Sequence, residues 1–324
     1  TGANAIFSIS DSTIGQTVQN LSGVAGSQID LGANTLTVVS SLDTTFAGVI
    51  GSVDGVGSLT KAGSGILTLE GNNTYTGATT INGGTLALAN GGQISASSAV
   101  TVAGGATFDI SGSSSSNLIR TLAGAGTVQL GSNMLRIADG STEFSGTLNG
   151  TGNIALMRGT LTLSGASPFS GVAGIDGGAT LALKGAGSMA NALVSFFGGA
   201  GTGTFDISQT TSGASISGLY DHGGASVVVA LGSKELTITY DSPFFSGTIQ
   251  DGGLGGGTGG RLRIASGARQ ALNGVNTYTG ATTIEGGAVL ALEGNGSIAT
   301  SSGLNLTGAN AIFSISDSTI GQTV

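Results

Sequence analysis

Of 324 residues 62 are glycine and two are proline, with no Gly-X-Y period, which rules out collagen; 39% apolar residues are too many for a disordered chain. Nine basic against seventeen acidic residues leave a net charge of −8, which repels a phosphate backbone and an anionic membrane and argues against nucleic acid as a partner. Cysteine is absent, so a disulfide framework and a cysteine-held metal are both excluded.

Thr1 to Val18 are repeated identically at residues 307–324, an offset of 306. Eighteen identities in register are not chance. They predict tandem copies of a 306-residue unit: one period (1–306) followed by the first 18 residues of the next (307–324). Thr1-Gly-Ala-Asn has no basic or apolar leader, and the repeat favours an interior piece of a longer polypeptide over a cytosolic protein. No run approaches the ~18 apolar residues of a membrane helix, so this segment is not expected to enter a bilayer.

A second, blurrier repeat runs through the unit in chain order. Phe7-Ser-Ile-Ser returns as Phe108-Asp-Ile-Ser, Phe205-Asp-Ile-Ser and Phe313-Ser-Ile-Ser. Each of the first three leads into a Leu/Gly segment (from Leu21, Leu122 and Leu219), then a strand ending in Leu36-Thr-Val38, Leu135-Arg-Ile137 or Leu236-Thr-Ile238, then an aromatic-small-Gly corner at Phe46, Phe144 or Phe245. The most regular stretch follows: Gly71-Asn-Asn-Thr-Tyr75-Thr-Gly-Ala-Thr-Thr-Ile81-Asn-Gly-Gly-Thr-Leu86-Ala-Leu88. It returns from Gly274 through Tyr278 and Ile284 to Leu292 and, with Phe in the Tyr slot, from Gly165 through Phe169 and Ile175 to Leu183. The unit is therefore three diverged blocks of about a hundred residues, read as one continuous solenoid over 1–324.

Ile66-Leu-Thr-Leu69, Thr85-Leu-Ala-Leu88, Leu161-Thr-Leu163 and Arg261-Leu-Arg-Ile264 alternate with period two, the signature of half-buried strands. Asn-Gly, Asp-Gly and Gly-Gly pairs between them supply sharp corners. Hairpins would require matched strand pairs around two-residue turns. Serial strands with recurring corners instead predict a parallel coil of ~20-residue turns; at ~4.8 Å per turn, 306 residues in roughly 15 turns give a rod of about 70 Å. Asp251–Gly260 reads as a looped-out corner and Ser111–Ser116 as a solvated loop.

Several residues are candidates for chemistry. His222 is the single histidine and reads as an exposed turn residue, since a general base needs a nucleophile at hydrogen-bond distance. Asp109 and Asp206 occupy equivalent places in Phe-Asp-Ile-Ser and, facing outward, would suit an acidic glycan-cleaving cluster; serine in the matching Ser8 and Ser314 argues for simple repetition. Asp251-Gly-Gly-Leu-Gly lacks the recurring aspartate of a calcium roll, leaving only adventitious calcium. Tyr75, Tyr278 and Phe169 either form a sugar-stacking row or seal the corners from inside; the sealing role is favoured. Arg261, Arg263 and Arg269 are the one basic concentration, with Arg261 and Arg263 on the solvent face, where they discourage edge pairing.

From Ser58-Leu-Thr-Lys-Ala-Gly-Ser-Gly to Leu86, the first copy resembles the passenger-associated repeat of bacterial autotransporters, and Phe46-Ala-Gly-Val-Ile fits the segment before it. The likeness is strong over 46–95, good over 261–298 and partial over 144–190, where the Lys-x-Gly-x-Gly run and the Tyr-Thr-Gly are missing. It implies an all-β, right-handed parallel β-helix (β-solenoid) exported to the bacterial cell surface and anchored through a part outside these residues. The expected role is a non-enzymatic stalk or fibre segment, without catalytic, metal-binding or cofactor residues and without a cofactor. Its partners are neighbouring repeats, with end-to-end self-association of copies as a further expectation. The alternatives are an adhesin whose faces bind glycans or neighbouring cells, and a β-helix polysaccharide lyase or hydrolase.

Overall fold

The computed structural model describes residues 4–321 except 54, 115, 224, 225 and 243. Those residues contain strands and turns but no helix, and every strand pairing among them is parallel; the chain is a β-solenoid of about 15 turns. It divides into two compact units, Thr1–Ile154 and Ala155–Val324.

In the first unit the alternation places one apolar column on the bore. Leu67, Leu86, Phe108, Val128 and Leu148 are successive register partners and all fully buried, advancing by 19, 22, 20 and 20 residues. The preceding threonines in four of these strands, Thr85, Thr107, Thr127 and Thr147, form a half-buried ladder on the outside. Stacking β-branched side chains on a pleated surface favours the strand and keeps hydroxyls in water. The second unit repeats the arrangement: Leu161, Leu181, Phe205, Val229 and Ile249 are fully buried partners spaced by 20, 24, 24 and 20 residues. A one-residue slip would turn either column outward, so burial fixes the register.

Two expectations meet the structure differently. Asp251–Gly260 is a loop, and it lengthens its turn to 26 residues, from Leu236 to Leu262. By contrast the strand Thr107–Ser113 runs into the serine-rich segment expected to be a loop; a bulge restores pairing between Asn90 and Ser113, and Ser113 is buried. Close stacking explains the first glycine of the repeat. A Cβ on Gly71 would lie 1.9 Å from the Gly48 carbonyl oxygen, and one on Gly274 would lie 2.0 Å from that of Gly247. Only a residue without a side chain lets those backbones touch.

Candidate functional site

The aromatics of the repeat lie inside the coil: Tyr75, Tyr278 and Phe169 are all fully buried, so they seal corners and do not form a sugar-stacking row. Each tyrosine starts the same hydroxyl chain. Tyr75 Oη meets Thr79 Oγ1 at 2.7 Å, Thr79 meets Ser97 Oγ at 2.9 Å, and Ser97 donates to the Gly77 carbonyl at 2.9 Å. Tyr278, Thr282, Ser301 and Gly280 repeat it at 2.6, 3.0 and 2.9 Å. Burial pushes both phenols well above their ordinary ionisation range, the threonine contact opposing it in part. The middle copy replaces every hydroxyl-bearing member. Phe169 is followed four residues later by Ala173, and the turn closed by Ser97 on Ile94, or by Ser301 on Ile298, is closed by Ala192 on Met189. A buried hydroxyl left without partners costs more than none at all, so the network is kept or dropped as a whole.

Asn73 ties three turns together. Its amide nitrogen donates to Gly71 and Gln93 carbonyls, both at 2.9 Å, while its oxygen accepts the Ile50 amide at 2.9 Å. Asn276 does the same with Gly274, Ser297 and Ile249.

The carboxylates serve structure. Asp206, proposed to face outward, is 2% exposed; it accepts the Ser208 amide at 2.8 Å and the Leu254 amide at 2.6 Å, pinning the glycine loop. Asp109 is half-buried and accepts the Ser111 amide at 2.8 Å. Asp251 closes the loop from its other side, accepting Gly259 and Gly260 amides at 3.1 and 2.9 Å and the Thr279 hydroxyl at 2.6 Å. Burial pushes this carboxyl up, but those hydrogen bonds outweigh it and hold it below its usual range. Arg261 is exposed and Arg263 half-buried on the outer face. Arg263 bonds to Glu285, which lowers the Glu285 carboxyl and raises the guanidinium, and Glu235 lies 3.6 Å from it. Arg269 lies 4.0 Å from Glu293. Among the described residues no three His, Cys, Asp or Glu side chains gather into a metal-holding group.

One constellation was not anticipated. His222 is exposed, as expected, but it belongs to a ring stack. Its imidazole stacks on Phe197 with centroids 5.0 Å apart and planes 21° apart, and meets the edge of Tyr220 at 4.8 Å. Tyr220 in turn meets Phe244 at 5.5 Å. Phe197, Tyr220 and Phe244 are each half-buried. Register places them: Leu193–Phe196 pairs with Gly218–Asp221 and puts Phe196 opposite Asp221, so the next residues, Phe197 and His222, fall side by side. Beneath them Phe196 and Phe245, ring centroids 5.7 Å apart, are fully buried. A sequence signal was available in the doublets Phe196-Phe197 and Phe244-Phe245, since adjacent residues on a strand face opposite ways and one aromatic of each must turn to solvent. Gly174, one turn earlier, lies flat under this stripe: a Cβ there would come within 2.3 Å of the Phe197 ring.

The passenger-associated transport repeat family matches residues 59–88, 159–187 and 267–292, the three segments that carry the buried aromatic and its double-glycine corner. The chain is an autotransporter passenger region. It is 33% identical over 285 residues to the adhesin BmaC autotransporter of Brucella suis biovar 1 (strain 1330), a match covering 82% of this chain and 8% of that relative. This passenger thus spans about a twelfth of the relative's length. No solved structure matches it. A passenger is a surface or secreted segment, and its repeats stack on one another within one chain.

Proposed function

We propose that this passenger is a non-enzymatic rigid spacer of a large, repetitive surface protein. It sets how far other regions stand from the cell, and a part outside these residues anchors it at the outer membrane. The observation that carries the reading is the identity of the first and last eighteen residues at an offset of 306, set in a coil in which each turn rests on its neighbours. Length then follows copy number. Polypeptides of one, two and three copies are expected to lengthen in small-angle scattering by about 70 Å per copy, given ~4.8 Å per turn. A maximum dimension that stays flat as copies are added sinks the spacer.

The ring stack supports a second reading, an adhesive face, in keeping with the word adhesin in the relative's name. Flat ring faces edged by the Tyr220 hydroxyl and the His222 nitrogens suit the apolar face and hydroxyl rim of a sugar ring. Phe197→Ala combined with Phe244→Ala is expected to weaken retention on a glycan array or on cells about tenfold. The melting temperature should fall by only a few degrees, since both rings are half-exposed. Unchanged retention in the double variant removes this reading and leaves the spacer intact.

A further inference from the structure

Of the eighteen residues that occur twice, twelve are described in both places, 4–15 and 310–321, and they sit in two opposite settings. Ile6, Phe7 and Ser8 pair with the turn after them, at Gln28, Ile29 and Asp30. Ile312, Phe313 and Ser314 pair with the turn before them, at Val289, Leu290 and Ala291. Several local features recur in both, although the strand is Ile6–Ser8 in the first setting and Ile312–Ser318 in the second. Asn4 and Asn310 take left-handed φ values of 69° and 61°. Ser8 and Ser10 hydroxyls meet at 2.8 Å, Ser314 and Ser316 at 3.0 Å; Ser12 donates to the Ile14 carbonyl at 2.7 Å, Ser318 to that of Ile320 at 3.0 Å. These local contacts therefore hold whichever face is covered.

The pairing at Phe313 is also one the coil has already made twice. Leu86 is followed one turn later by Phe108, Leu181 by Phe205, and Leu290 by Phe313. All three joints carry a one-residue register shift at the same place, between Ala87 and Ala89, Ala182 and Lys184, and Ala291 and Glu293. At the two inner joints the next turn lays a valine on the phenylalanine, Val128 on Phe108 and Val229 on Phe205, as Ile29 lies beside Phe7. The isoleucine of the motif records which faces are covered. Ile110 and Ile207 are fully buried and Ile9 is 5% exposed, whereas Ile315 is 48% exposed. What covers Ile9 and Ile110 includes an asparagine from the next turn: Asn34 donates to the Ile9 and Ser12 carbonyls at 2.8 and 2.9 Å, and Asn133 to those of Ile110, Ser111 and Ser113 at 2.8, 3.1 and 3.0 Å.

We infer that consecutive copies meet through this shared turn with no seam. The open face of residues 307–321 is an interaction surface whose partner is the next copy's turn 19–40. The copy boundary is then a third joint of the kind inside each copy: Leu290 below, the shared phenylalanine between, and the next copy's Ile29 above, its Asn34 closing the turn. This rests on the tandem reading above and adds to it, because copies strung as beads on flexible joints would still lengthen with copy number.

Hydrogen exchange on a two-copy polypeptide, residues 1–306 followed directly by 1–324, tests the joint. In the described chain the Ile312 amide donates to the Ala288 carbonyl at 2.9 Å. The same amide at Ile6 of the second copy is expected to exchange more than about tenfold slower than at Ile6 of the first copy. Equal rates overturn the shared turn, while scattering on the same polypeptide reports on the spacer separately. A second variant guards against a trivial result. Asn34→Ala in the second copy alone should speed exchange at Ile9 of that copy about tenfold and leave the turns at Phe108 and Phe205 unaffected. No change at Ile9 means that Asn34 does not close the joint, and the inference fails.

Discussion

Asn73→Leu is expected to lower the unfolding free energy by about 3 kcal/mol, and Asn276→Leu by a similar amount. Leucine keeps the branching and the heavy-atom count of asparagine, so the loss is chiefly of hydrogen bonds. The substitution leaves the Ile50 amide without its acceptor in a buried place and strips the Gln93 carbonyl of a donor. Each orphaned buried group costs ~1–3 kcal/mol. Because a solenoid is held by contacts between neighbours, the damage falls on two successive interfaces, and urea unfolding is expected to separate into two steps there. Asn72→Ala is the control: Asn72 is exposed, and a surface change of that kind costs within ~0.5 kcal/mol. If Asn73→Leu is as mild as the control, the asparagine does not hold the turns together.

The period-two alternation and the recurring corners made the parallel coil legible, because burial on one face leaves each strand a single workable register. Three features of the candidate surfaces were harder to read. Lys61 follows the inward phase set by Leu59, and it is fully buried, with Nζ 2.9, 3.0 and 3.2 Å from the Ala62, Gly63 and Gly83 carbonyls. Burial lowers its ammonium, with Asp43 opposing. Charge alone favours solvent, but the stem fills the bore while the head reaches carbonyls at the corner. Gln270 is a second inward polar residue, fully buried and bonded to the Leu219 amide and carbonyl, both at 3.2 Å. That contact spans 51 residues and no local pattern announces it. The ring stack failed to stand out for a related reason. Its members come from three turns about 23 residues apart, and only the register of the coil sets them side by side.

Tyr278→Ala carries the largest expected cost, about 3–5 kcal/mol, since it opens a cavity the size of a fully buried ring. Tyr278→Phe separates the hydroxyl from the ring and is expected to cost about 1 kcal/mol. Adding Thr282→Ala and Ser301→Ala to Tyr278→Phe converts this corner to the Phe169-Ala173-Ala192 pattern that the middle copy already uses. The triple variant should therefore cost less than the three single costs added together, a coupling that a mutant cycle reads directly. Additive costs would mean that the hydroxyls act independently. Alkaline pH supplies a second readout with a definite sign. Burial raises the Tyr75 and Tyr278 phenols above their unfolded value. Their contribution to stability is whole below about pH 10 and falls as pH rises beyond it, because the unfolded chain ionises first. Tyr75→Phe with Tyr278→Phe should flatten that fall, measured as the slope of unfolding free energy against pH from about 9.5 to 11. An unchanged slope would place the alkaline-sensitive groups elsewhere in the chain.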